Sequence, residues 1–330
     1  MSTIKLIKKL KKEANALASD FTALLGYVVS KNEFSNKALL ELIGSLSDPN
    51  VGEDAKTVLL MYVNSGRKFY FDAECALVDH IVSGNEKSVD AAKEVLFKYI
   101  EEHNLWFKTL KKLACLLKGE KTTEIAKTIL LIYVAIPQKS YDDASHSLNV
   151  NGLGDEKDVD RTVVALLSDS NRHIAENAKE ILLKLVSNRG YLSGWAQDAL
   201  IELLKKDQWV RSAAKEILLK YRWHLYFDCF FKLLKNKEAA EAAKEILLHR
   251  AKTEVLDYYD QARLLPLIAN GDEGIAKVAQ EIFLSYIHTI GDLDEDIKKK
   301  VYHWSYNKRI SEVIQKLQAN KADNEADDEE

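Results

Sequence analysis

One eight-residue pattern recurs along this chain and governs what it can fold into. Ala214–Tyr221 reads Ala-Lys-Glu-Ile-Leu-Leu-Lys-Tyr, and versions of it begin at Ala55, Ala92, Ala126, Ala178, Ala243 and Ala279. A weaker copy lies at Asp20–Tyr27, where Leu24, Leu25 and Tyr27 match. Successive alanines are 37, 34, 52, 36, 29 and 36 residues apart. Self-similarity at such a period predicts a stacked array of small units, none able to bury its apolar face alone.

The pattern is helical. Ile174, Ala178, Ile181, Leu182 and Leu185 form one stripe of a 3.6-residue helix, as do Val210, Ala214, Ile217, Leu218 and Tyr221. The alanine permits close approach by a neighbouring helix. The tyrosine adds apolar area and keeps a hydroxyl near the helix end, within reach of a partner. Another apolar residue falls outside the stripe, about 140° from the alanine: Leu60, Phe97, Leu131, Leu183, Leu219, Leu248 and Leu284. A second apolar edge suits a helix sandwiched between its own partner and the next unit.

A lysine follows the alanine in six copies: Lys56, Lys93, Lys127, Lys179, Lys215 and Lys244. Two readings are open: a row of cations facing an anionic partner, or stems covering the seam between units while the charges stay wet. Glu94–Lys98, Glu180–Lys184 and Glu216–Lys220 have the i, i+4 spacing of pairs within one helix.

Composition limits the function classes. Three prolines and thirteen glycines suit a helix-rich chain. The net charge is −4, of which the last ten residues contribute −5, so the rest is nearly neutral rather than basic. Cys75, Cys115 and Cys229 lie in apolar runs and read as small buried hydrophobes in a reducing compartment, with a cytoplasmic location expected. No apolar run reaches the ~20 residues of a membrane span.

Taken in order, residues 1–35 form a basic amphipathic N-terminal cap, with Ile4, Leu6, Ile7 and Leu10 among five lysines. Its alternatives are a weak membrane-surface helix or an import signal. Residues 36–135 form a first repeat block, 136–159 an inserted polar loop, and 160–289 a second block. Closing helices over 290–318 and a disordered acidic tail over 319–330 complete the chain. Each unit is a first helix, a polar turn and the patterned helix. Phe69-Tyr70-Phe71-Asp72, Leu225-Tyr226-Phe227-Asp228 and Leu256-Asp257-Tyr258-Tyr259-Asp260 precede first helices. Their aspartates read as N-caps and their aromatics chiefly as staples of the turn between units.

Catalytic chemistry finds no foothold. Gly119-Glu120-Lys121-Thr122-Thr123 lacks the first glycine of a phosphate-binding loop and the strand before it, and reads as a turn opening a helix. Gly152-Leu153-Gly154 lacks the third glycine of a dinucleotide site. The eight histidines form no HxxxH pair, so no metal or other cofactor is expected. No pair of carboxylates stands out as buried.

Ala38–Tyr62 and Val163–Leu185 resemble HEAT and armadillo-like repeats: an apolar helix, an Asp/Asn turn, Val or Ile, then Ala and Leu-Leu. The resemblance covers roughly residues 36–289. It implies an all-α fold, a right-handed α-solenoid of about seven two-helix repeats (an ARM/HEAT-like superhelix) with N- and C-terminal capping helices. It carries over no catalytic residue. The function expected is a non-enzymatic scaffold binding a protein partner on its concave surface. The candidate contacts are Lys56, Lys93, Lys127, Lys179, Lys215 and Lys244 with Trp106, Trp195, Trp209 and Trp223. Two alternatives stand beside it. One is nucleic-acid binding or modification, in the manner of the HEAT-like alkylpurine DNA glycosylases, motivated by the lysines and aromatics. The other is a bacterial effector delivered into a host cell and binding a host protein, suggested by the proline-poor, Lys/Ile/Asn-rich composition.

Overall fold

The computed structural model describes residues 23–315, apart from 136–156 and the short stretches 29, 31–32, 84, 190–191, 222–226, 254–255, 257, 271–272, 291–292, 294 and 304. The expected tail lies outside the described residues, as do most of the N-terminal cap and of the inserted loop.

Every regular element among the described residues is helical. Fifteen α-helices have both ends defined: α1 (Asn36–Gly44), α2 (Gly52–Asn64), α3 (Phe71–Ser83), α4 (Glu86–Glu102), α5 (Phe107–Leu116), α6 (Thr123–Ala135), α7 (Lys157–Ala165), α8 (Arg172–Arg189), α9 (Gly194–Leu203), α10 (Gln208–Lys220), α11 (Phe227–Leu233), α12 (Ala240–Thr253), α13 (Tyr258–Asn270), α14 (Glu273–Ile290) and α15 (Glu295–His303). Residues 23–28 and 308–315 are also helical. Every even-numbered helix up to α14 carries one copy of the repeated pattern. α7 begins at Lys157, just inside the expected loop, where preceding acids suit a helix N-terminus.

The chain divides into two compact units, residues 1–196 and 197–330, with the division running through α9. In the first unit, odd helices pack on odd (α1 on α3, α3 on α5, α5 on α7) and even on even (α2 on α4, α4 on α6, α6 on α8), while each pair also packs internally. That is two-layered repeat stacking. In the second unit α10, α12 and α14 pack in series, and α11–α12 and α13–α14 are internal pairs.

The pattern's inner positions make the core. All seven pattern alanines are buried, as are the residues three, four and seven places after each. Each large aliphatic so covered stabilises the fold by about 1.5–3 kcal/mol. The turns leading into even helices use short polar side chains. Asp48 Oδ1 accepts from Asn50 N–H at 2.9 Å, Asp169 Oδ1 from Asn171 N–H at 2.9 Å, Asp207 Oδ1 from Val210 N–H at 3.1 Å and Asn236 Oδ1 from Ala239 N–H at 3.0 Å. Gly52 opens α2 where a Cβ would stand 2.7 Å from the Leu46 carbonyl oxygen, so that turn requires glycine.

Three expectations need correction. Asp72 and Asp260 sit inside the first turns of α3 and α13, not at the caps. Asp72 instead accepts a hydrogen bond from the Asn36 side chain of the preceding unit at 2.8 Å. Cys115 is exposed, and Cys75 and Cys229 are half-buried. The Leu113–Leu117 run winds around an amphipathic helix: Leu113, Ala114 and Leu117 are buried, and Cys115 falls on the other side. Glu94–Lys98 and Glu180–Lys184 are superseded by other pairings, described next.

Candidate partner-binding surface

On each even helix the residue after the pattern alanine and the one four places further share a face. That face carries the lysines and the second apolar edge. The lysine of one unit reaches the glutamate two places after the alanine of the next. Lys56 pairs with Glu94 at 3.1 Å, Lys127 with Glu180 at 2.6 Å, Lys215 with Glu245 at 2.5 Å and Lys244 with Glu281 at 3.0 Å. The last step substitutes an amide: Gln280 donates to Glu312 of the closing helix at 2.8 Å. Lys93 has Thr128 where that glutamate would be, and turns back to Asp90 at 3.6 Å. Lys98, deprived of Glu94, pairs with Glu101 at 2.9 Å. Lys179 lies half-buried on α8. The row thus works as a seam between units, and each partly exposed pair contributes under about 1 kcal/mol.

With the charges paired, the apolar edge defines the surface. Leu60, Phe97, Leu131, Leu183, Leu219, Leu248 and Leu284 are all half-buried. Each is partly covered and partly accessible. In the first unit Met61 and Ile132 extend the strip. The corresponding positions elsewhere hold Lys98 and Lys184 in the first unit and Lys220, His249 and Ser285 in the second.

Trp106 and Trp195 fall elsewhere. Trp106, 54% exposed, precedes α5 and donates its indole N–H to the Phe69 carbonyl at 3.1 Å. Trp195, 56% exposed, opens α9 with the Arg161 guanidinium 5.3 Å from its ring centroid. Trp209 is half-buried in the first turn of α10. Trp223 lies outside the described residues. Trp106 and Trp195 therefore stand at the starts of odd helices, whereas the lysines stand on the even ones.

Sequence reasoning missed the most perturbed carboxyl group among the described residues. Glu74, fourth residue of α3, is fully buried. Its Oε2 accepts from Trp106 N–H at 2.9 Å, bracing the start of α5, while Oε1 has no hydrogen-bond partner among the described residues. Burial pushes its pKa up to about 7, offset in part by the Thr109 hydroxyl, the Trp106 amide and the Tyr99 hydroxyl facing it. Asp160, fourth in α7, does the same service for Ser193 ahead of α9, accepting from its N–H at 2.6 Å and its hydroxyl at 2.9 Å. Burial raises its pKa too. The available signal was an acid recurring at one place in a first helix, but nothing in the chain around Glu74 distinguishes it from a surface glutamate.

No family model matches the sequence, and no curated protein matches it. Among solved structures, the chain is similar to an archaeal HEAT-like repeats protein from Thermococcus onnurineus NA1, at 14% identity and a TM-score of 0.26, with 88% of this chain and 98% of that chain covered. It is also similar to an engineered protein, at 16% identity, a TM-score of 0.26 and the same coverage. At such scores the superpositions bear no weight here; the assignment to stacked helical repeats rests on the packing described above. Among the described residues no helix is long and apolar enough to cross a membrane.

Proposed function

We propose that this chain is a non-enzymatic helical-repeat scaffold whose even-helix surface binds a protein partner. The observation that carries the reading is the pairing of Lys56, Lys127, Lys215 and Lys244 with glutamates of the next unit. Pairing removes the continuous positive track that a phosphate backbone would need. It leaves a strip of half-exposed Leu, Met, Phe and Ile with a balanced polar flank. Apolar strips rimmed by polar groups mark protein interfaces. The same pairing weighs against nucleic-acid binding.

The test compares the intact chain with Phe97→Glu/Leu131→Glu, whose side chains are only half-buried, once circular dichroism has shown both to be equally helical. The reading expects a cross-linked protein partner of the intact chain to be lost at least about tenfold from the variant. It also expects no retention of DNA or RNA. Partner capture indifferent to the variant, or nucleic-acid binding that weakens steeply with salt, would overturn it.

A further inference from the structure

Among the fifteen helices with both ends defined, α5 alone carries basic residues and no acid. Lys108, Lys111, Lys112 and Cys115 have the spacing of one stripe of a 3.6-residue helix, and Lys118 follows in the turn beyond. Lys108, Lys111, Cys115 and Lys118 are exposed, and Lys112 is half-buried. The opposite stripe, Leu110, Leu113, Ala114 and Leu117, is buried in the core. These cations therefore line the outer side of an odd helix, in the layer that does not hold the lysine row of the even helices.

The odd helices packed on either side frame the stripe. On α3, Asp79 pairs with Lys112 at 2.6 Å and Asp72 is engaged by Asn36 at 2.8 Å. On α7, exposed Arg161 adds a further cation and exposed Ala165 a small side chain. At the N-terminal end stands Trp106, 54% exposed. Two hydrogen bonds fix it, its N–H to Glu74 at 2.9 Å and its indole N–H to the Phe69 carbonyl at 3.1 Å. A large ring already held in place loses little freedom when a partner covers it, and tryptophan is enriched among the residues that dominate interfaces.

Charge and shape narrow the occupant. A bilayer surface requires an apolar face to insert, and that of α5 is buried in the core. A nucleic-acid strand requires a positive track running past one helix, and here the track meets exposed Asp72 and Asp79 on α3. The stripe itself is about 15 Å long, the rise of a ten-residue helix. We propose that the outer face of α5 binds a short acidic segment of another protein, with carboxylates on Lys108, Lys111 and Lys118 and an apolar side chain on the Trp106 ring. Complementary charge steers and registers such a segment, and the ring anchors one end of it. This surface lies on odd helices and stands whether or not the even-helix reading holds.

The test is fluorescence anisotropy of the full chain at low ionic strength with a labelled peptide of about ten residues, rich in glutamate and carrying one terminal leucine. The unaltered chain is expected to bind it. Lys108→Gln/Lys111→Gln/Lys118→Gln, equally helical by circular dichroism, should bind about tenfold more weakly, the effect of three exposed ion pairs. Lys87→Gln/Lys235→Gln/Lys237→Gln removes the same charge from exposed lysines elsewhere and should stay within about twofold. Against the unaltered chain, a peptide with serine in place of its leucine should bind about fivefold more weakly. Absence of peptide binding, equal weakening by the two triple variants, or indifference to the leucine would overturn the proposal. So would tighter binding of an oligothymidylate of the same length that is lost in the Lys108, Lys111 and Lys118 variant.

Discussion

The two units solve one packing problem by different means. Seven residues after the pattern alanine, at the end of each even helix, a large side chain must fill the joint with the next odd helix. In the first two full repeats of the first unit that side chain, Tyr62 or Tyr99, joins a column of rings. Tyr27, Phe34, Tyr62, Phe69, Tyr99 and His103 follow one another with centroids 5.4, 5.2, 5.9, 4.7 and 4.9 Å apart. In the second unit the corresponding tyrosines are held by polar contacts. Gln197 donates to the Tyr221 hydroxyl at 2.6 Å and Gln261 to that of Tyr286 at 3.4 Å. Buried Arg250 stands in for the next tyrosine, donating to the Tyr221 carbonyl and lying over its ring. The switch traces to two positions. Two residues before the odd helix stand Phe34 and Phe69 along the column, but Leu105 and Leu192 further along the first unit and Leu256 and Leu293 in the second, all buried. At the helix's fourth residue the first unit has Leu39, Glu74, Leu110 and Asp160 in turn, whereas Gln197 and Gln261 meet the tyrosines of the second. A repeat therefore demands volume at its joint and leaves open the chemistry that supplies it.

Breaking the column should have the largest effect. Phe69→Ala removes the ring between Tyr62 and Tyr99 and should cost about 3–5 kcal/mol. Hydrogen exchange should localise the loss to α2–α5 and leave α12–α14 as protected as before. Equal loss in both units would show that the column is not a feature of the first alone.

Glu74→Gln converts the first unit to the second unit's solution. Because the folded state raises the carboxyl's pKa from the usual 4.5 to about 7, it holds the proton more tightly than the unfolded chain does. Glu74 is therefore tolerated best below about pH 4.5, and stability drains away as pH rises through 7. At pH 8 the glutamine variant should be more stable by up to roughly 3 kcal/mol, and the difference should vanish near pH 4. Denaturant midpoints across that range measure it, and a variant less stable at pH 8 would count against the assignment. Smaller again, Tyr221→Phe strips the acceptor from Gln197 and should cost about 1–2 kcal/mol in the second unit's unfolding transition.

Much of this was legible in the residues. The stripe through Ala214, Ile217, Leu218 and Tyr221 specified the even helices, and the tyrosine hydroxyl found the partner expected of it. The second apolar edge at Leu183, Leu219 and Leu248 was expected from sandwiching, and each is half-covered. The partners of the lysines were not legible. Glu94 and Glu180 satisfy the spacing for Lys98 and Lys184 on their own helices as well as for the preceding unit, and only the stacking decides between them. Glu74 was invisible for a related reason: its burial is created by Trp106 and Thr109 of the next unit, more than thirty residues away.

The most direct test of the stacked-seam account is a pair of double-mutant cycles on Glu180, with Lys127 and with Lys184, read from unfolding free energies at low salt. A coupling of about 0.5 kcal/mol across units with Lys127, and near zero within the helix with Lys184, is the predicted result. Coupling confined to Lys184 would return the lysine row to solvent and contradict the account.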